Sequence, residues 1–266
     1  MNSNFKVIDS HSHIYPEKIA KKASEAIGHF YGLPMLYTGT SSSLIENGKK
    51  INAEKYLVCS VATSAAQVTV INDFIIDECK KHKQFIGLAA MHQDFIGVEE
   101  EIERTVNKGL KGIKMHHDFQ KADLDDSRFF KTYKKCEKMG TVCLLHAGDD
   151  RYEYTRPYRF VNILNKFPDL KCIAAHFGGY KRWEEAYKSF KDIDNLYFDT
   201  SSSLYALKPD EATDIIRTFG VDKFLFGTDF PMWDHEKELE RFLSLSLTNE
   251  ENQMILYDNF IKLFDS

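Results

Sequence analysis

The sequence predicts an α/β fold of the (β/α)8 barrel type. Three observations carry that prediction. There are eight short runs of β-branched and other apolar residues, and each of the first seven is followed by a segment of helical periodicity. Several of the runs also close on a side chain able to bind metal or move a proton, as barrel strands do at the face that carries chemistry.

In chain order the runs are Phe5–His13, Lys55–Thr63, Phe85–His92, Gly112–His116, Thr141–His146, Lys171–His176, Asn195–Thr200 and Lys223–Asp229. Each has the length and residue types of a pleated strand. Asp73–His82, Glu99–Lys108, Ser127–Met139 and Pro157–Phe167 repeat apolar residues every three or four positions, with charges between them. Glu211–Phe219 precedes the eighth run and His235–Leu245 follows it. Eight such units in 266 residues favour a closed barrel over a doubly wound sheet, and residues 1–266 are read as a single domain. Residues 32–50, with Gly32, Pro34, Gly39 and Ser41-Ser42-Ser43, are read as an irregular loop insertion after the first helix. Within it, Thr40 or Ser41 is expected to cap a short helix through Asn47. Thr248-Asn249-Glu250-Glu251 has the form of a capping box, opening a closing helix that carries Ile255, Ile261 and Leu263.

Composition narrows the function classes. A net charge of −5 and a pI near 6.1 exclude a strongly basic nucleic-acid surface. No apolar run approaches the roughly 20 residues of a membrane span. Met1-Asn2-Ser3-Asn4-Phe5-Lys6 lacks the apolar core of a leader, so a cytoplasmic location is expected. The five cysteines show no Cys-x-x-Cys spacing and are read as reduced, buried thiols.

The chemistry-bearing residues sit at strand ends. Asp9, His11 and His13 alternate on the first strand and so share one face. The fourth run ends in Lys114 and His116, the fifth in His146, the sixth in His176 and the eighth in Asp229. A single strand histidine is more often a hydrogen-bonded core residue than a ligand. Several of them at the ends of strands in one barrel, joined by a carboxylate, suit a divalent ion such as zinc. No thiol stands among these positions, which argues against an iron–sulfur or structural zinc centre.

The order Asp9-Ser10-His11-Ser12-His13, His146-Ala147-Gly148, Ala175-His176-Phe177-Gly178-Gly179 and Gly227-Thr228-Asp229-Phe230-Pro231 resembles the amidohydrolase superfamily. More narrowly, it is similar to the branch related to aminocarboxymuconate-semialdehyde decarboxylase. The likeness runs from about Lys6 to Asp258-Asn259-Phe260. It implies a metal-dependent TIM barrel in which His11, His13, His146 and Asp229 hold the metal. Asp229 and His176 would be the catalytic acid/base groups. Asp9 is expected to brace the barrel or a ligand imidazole. One zinc ion is the expected cofactor, with manganese or a second metal as alternatives. Lys114 and His116 are candidates for a second metal or for substrate, and one of them is expected to face the pocket. His117 points the other way, and His29, His82, His92 and His235 are given no role.

The charged, aromatic loop Gly148–Pro157 is either a solvated surface or a reader of substrate. On the second reading Arg151 or Arg156 grips a substrate carboxylate, while Tyr180 and Trp233 wall the pocket. The expected activity is metal-dependent hydrolysis of a small, carboxylated molecule by an activated water. Non-oxidative decarboxylation or hydration at the same site is the alternative, and a metal-binding barrel without turnover is the reading from another class. A small-molecule substrate and no nucleic-acid or membrane partner are expected, with a homodimer as the candidate assembly.

Overall fold

In a computed structural model, described over residues 5–191, 193 and 195–264, the chain forms a parallel TIM barrel. Met1-Asn2-Ser3-Asn4, on which the absence of a leader was read, lies outside those residues. The strands are β1 (Val7–His13), β2 (Ala53–Cys59), β3 (Phe85–Gly87), β4 (Ala89–Ala90), β5 (Gly112–Met115), β6 (Val142–Leu145), β7 (Cys172–Ala174), β8 (Leu196–Asp199) and β9 (Phe224–Leu225). β3 and β4 are two pieces of the third predicted run, parted at Leu88; the first pairs with β2 and the second with β5. Eight strand positions result, as the sequence predicts.

Closure between β9 and β1 determines where the site lies. Ser10 N donates to Phe226 O at 2.8 Å, His13 N to Phe230 O at 2.7 Å, and Asp229 N to His11 O at 2.8 Å. The bonds that close the barrel therefore also seat His11, His13 and Asp229 side by side.

Strand residues alternate between two apolar layers. Cys143 and Leu145 face helix residues such as Phe160 and Leu164. Val142 and Leu144 share the inner cluster with Ile8, Leu57, Ile173 and Leu225. Phe260, Leu263 and Phe264 of the last helix, Asn259–Phe264, complete that inner cluster. The Thr248 capping box forms as predicted, with Glu251 N donating to Thr248 Oγ1 at 3.2 Å and Thr248 N to Glu251 Oε2 at 2.7 Å. Thr40 also caps as predicted, opening the helix Ser41–Gly48 inside the irregular insertion.

Asp9 does not share the pocket face with His11. β1 is irregular between Asp9 and Ser12, and that break in the ladder cancels the simple alternation. The carboxylate instead accepts from Thr228 N at 3.0 Å, Thr228 Oγ1 at 2.7 Å and Ser12 Oγ at 2.6 Å, and meets His235 Nε2 at 3.0 Å. His235, given no role from sequence, is fully buried and also contacts Asn47 Oδ1 at 3.0 Å through Nδ1. It ties the insertion to β1. His235→Leu is expected to cost about 1–3 kcal/mol, because it removes one partner of the buried Asp9 carboxylate and leaves Asn47 Oδ1 without the imidazole. Urea unfolding measures this, and a loss under about 1 kcal/mol would contradict it.

Candidate active site

A cavity opens where the strands end. Of the sequence-predicted residues, His11, His13, Lys114, His116, His146, His176 and Asp229 line it. Lys114 and His116 therefore both face it.

His11 is held from behind. Its Nδ1 lies 2.9 Å from Asp199 Oδ2, so the proton sits on that nitrogen and Nε2 turns a lone pair toward the cavity. There His11 Nε2 meets His13 Nε2 at 3.2 Å, Lys114 Nζ at 3.0 Å and Asp229 Oδ1 at 3.6 Å. Asp229 Oδ1 is 3.4 Å from His13 Nε2, and its other oxygen accepts from Ser202 Oγ at 2.6 Å. Both Asp229 and His176 adopt positive φ, at 57° and 61°, as the chain leaves its strand sharply at each point.

His146 stacks face to face on His116, with ring centroids 3.8 Å apart and planes within 10°. Its Nδ1 is 3.0 Å from His176 Nε2, while its Nε2 is buried with no hydrogen-bond partner. Ser201 Oγ, 2.9 Å from His176 Nδ1, anchors that ring. The loops after β6 and β7 are locked together at Gly148, where a Cβ would lie 2.3 Å from Tyr180 N. Only glycine fits that approach.

The electrostatics divide the site into one anion and several neutral imidazoles. Burial works against ionised Asp229, yet His11, His13 and His176 hold it well below the ordinary carboxylate range. Burial and Lys114 push His11 down, and burial with His116 and His176 pushes His146 down. Burial pushes His176 down to about 4. His13 is the exception: despite burial, Cys59 and Asp229 lift it to about 9. Two imidazole nitrogens facing each other at 3.2 Å, with a carboxylate oxygen within 3.6 Å of both, are a donor set that calls for a positive charge. The residues fit a divalent ion.

Several expectations are redirected. Arg151 does not reach the cavity: it grips Asp149 Oδ2 at 2.6 Å, donates to Phe30 O and lies over the Phe30 ring at 4.5 Å. Arg156 pairs with Glu153 and Glu185. Tyr180 and Trp233 stand behind the wall. Trp233 Nε1 donates to Ser202 Oγ at 2.9 Å, and Tyr180 accepts from Tyr205. His117 turns away to Tyr133, as expected. A thiol does stand at the site, since Cys59 Sγ at the end of β2 is 3.7 Å from His13 Nδ1.

Sequence reasoning missed Asp199, Ser201 and Tyr31. Tyr31 ends the helix Glu17–Tyr31, lines the cavity and lies 2.7 Å from His116 Nε2. The one available signal for Asp199 was an acid closing the seventh run, in Phe198-Asp199-Thr200.

Residues 8–265 match the amidohydrolase family model. A 2-amino-3-carboxymuconate-6-semialdehyde decarboxylase of Dictyostelium discoideum is 25% identical over 198 residues, covering 60% of this chain and 55% of that protein. The chain thus spans about half the length of that relative. Two solved structures share the fold. An uncharacterised TIM-barrel protein from Bordetella bronchiseptica has a TM-score of 0.79 at 19% identity, over 98% of each chain. A 5-carboxyvanillate decarboxylase from Novosphingobium aromaticivorans, complexed with manganese and a nitrobenzoic acid, has a TM-score of 0.78 at 14% identity, over 100% of this chain and 97% of that one. The family match covers the barrel and every residue of the site, and the chain belongs to the amidohydrolase family.

Proposed function

We propose that this chain is a divalent-metal-dependent carboxy-lyase that removes CO₂, without oxidation, from a small unsaturated carboxylate. The observation that carries the reading is the convergence of His11 Nε2, His13 Nε2 and Asp229 Oδ1 within 3.6 Å of one another, beside the buried Lys114. His11, His13, His146 and Asp229 would hold the ion, zinc or manganese. Bound there, it supplies Lewis-acid polarisation of the substrate's oxygens.

The chain's own residues supply the rest. Lys114 is the one lysine or arginine among the described residues lining the cavity, and it offsets the charge of the substrate carboxylate. Tyr31, Met35, Phe119 and Met232 give the cavity an apolar wall, against which a planar substrate lies with water excluded. The C–C bond to the carboxylate carbon breaks, CO₂ departs, and the electron pair left on carbon takes a proton. That proton is relayed from solvent by Asp229 and His176, which rest ionised and neutral and both face the cavity.

Hydrolysis, the first expectation from sequence, needs the same residues; the decarboxylases among the relatives support the carboxy-lyase reading better. The test is a panel of carboxyl-labelled aromatic and muconate-type acids given to manganese- or zinc-loaded protein, alongside amides, esters and lactones. Labelled CO₂ is expected. A new carboxylate from the second group, with no CO₂ from the first, would overturn the reading.

A further inference from the structure

We propose that Asp118 is a positioning residue for His146, holding its Nε2–H so that Nδ1 presents a lone pair to the metal site. Asp118 lies in the short helix His117–Gln120 that follows β5, and it is 2% exposed. Its Oδ2 accepts from Thr155 Oγ1 at 2.9 Å and stands 3.5 Å from His146 Nε2. Asp118 Oδ1 and His146 Nε2 are both buried and have no hydrogen-bond partner. Asp118 Oδ2 and the unmatched His146 Nε2 are 3.5 Å apart, a separation that a shift of a few tenths of an ångström closes into a hydrogen bond.

A neutral imidazole carries one N–H, and its place decides which nitrogen can bind a cation. On the far side of the ring, His146 Nδ1 is 3.0 Å from His176 Nε2, toward the site. A proton on Nε2, directed at Asp118, leaves Nδ1 free. Asp199 does the same for His11 from the opposite nitrogen, at 2.9 Å. Each of these two histidines is then fixed in one tautomer by a buried carboxylate behind it.

His116, Asp118 and His146 also lie close enough to share an ion. The ring stack argues against that use: rings 3.8 Å apart and within 10° of parallel direct their lone pairs alongside each other and do not converge. His116 Nδ1 is 4.0 Å from Asp118, too far to compete for its oxygen, and its Nε2 lies 2.7 Å from Tyr31 Oη.

The role rests on the proposal that His146 faces a metal, and the experiment separates the two. Histidine-¹⁵N-labelled, metal-free protein is examined by NMR in mildly alkaline buffer, as wild type, Asp118→Asn and Asp118→Ala, with His146→Gln to assign the signal. Manganese affinity and stoichiometry are then titrated on the same samples. The expected results are the Nε2–H tautomer in wild type and in Asp118→Asn, whose amide oxygen still accepts, and a shift toward Nδ1–H in Asp118→Ala. Manganese affinity in Asp118→Ala should fall about 10–100-fold at unchanged stoichiometry. An Nδ1–H tautomer in the wild type overturns the proposal whether or not the variants fold. So does an unchanged tautomer in Asp118→Ala, or loss of a whole equivalent of metal, which would make Asp118 a ligand. A wild type that shows the Nε2–H tautomer but binds no manganese or zinc would sink the carboxy-lyase reading and leave the role of Asp118 standing.

Discussion

Asp229→Asn is expected to lower turnover by about a thousandfold or more, within the range seen when a group that moves a proton is removed. The substitution keeps the shape and removes the charge. It leaves Ser202 Oγ an acceptor, and it alters no bond that closes the barrel, since Asp229 contributes its backbone N–H there. What it does remove is the carboxylate lying 3.4–3.6 Å from both His11 and His13. Turnover against the labelled acids, with thermal unfolding as the control for folding, measures the effect. Near-normal turnover in a folded variant would contradict the mechanism. His11→Ala should behave alike in turnover and should also weaken metal binding, because the Asp199-anchored nitrogen is lost.

Asp199→Ala is the second large effect, and it reads out on stability and metal affinity together. Asp199 is fully buried, and its oxygens serve His11 Nδ1 at 2.9 Å, His176 N at 3.0 Å and Ser201 N at 3.1 Å. Burial by itself would raise its pKa, but His11 and His176 beside it, with the His11 and Ser201 bonds, bring it down to about 2. Removing it strands these donors in the core, at an expected cost of about 3–5 kcal/mol in urea unfolding. Manganese affinity is expected to fall about 10–100-fold, because His11 loses the partner that fixes its tautomer. A variant with wild-type affinity would show that His11 needs no such anchor.

The barrel was legible because its signal is periodic and repeated. Strand positions, the Thr40 cap and the Thr248 capping box all depend on residues close in sequence. Boundaries were less so. The helix predicted from Asp73 begins at Val68, and the eighth strand pairs with β8 only over Phe224–Leu225. Beyond Leu225 the chain turns out of the ladder to set Asp229 at a positive φ, which no hydrophobic pattern encodes.

The same divide runs through the site. The histidines and Asp229 that close their runs were found, whereas Asp199, which ends β8 but acts from behind His11, and Asp118, behind His146, were not. Asp199 and Asp118 are single acids in unremarkable sequence, and their meaning comes from a histidine 188 and 28 positions away. Arg151 looked like a substrate anchor because it sits in the right loop, but Asp149, two residues earlier, takes its guanidinium. Local charge pairing outcompeted the pocket, and Lys114, buried on β5, is left facing it.

The central claim is that one divalent ion sits among His11, His13, His146 and Asp229. Anomalous diffraction from crystals soaked in manganese tests it most directly. A single strong peak is expected within bonding distance of His11 Nε2, His13 Nε2, His146 Nδ1 and a carboxylate oxygen of Asp229. A peak between His116, Asp118 and His146, or no peak in the cavity at all, would contradict it.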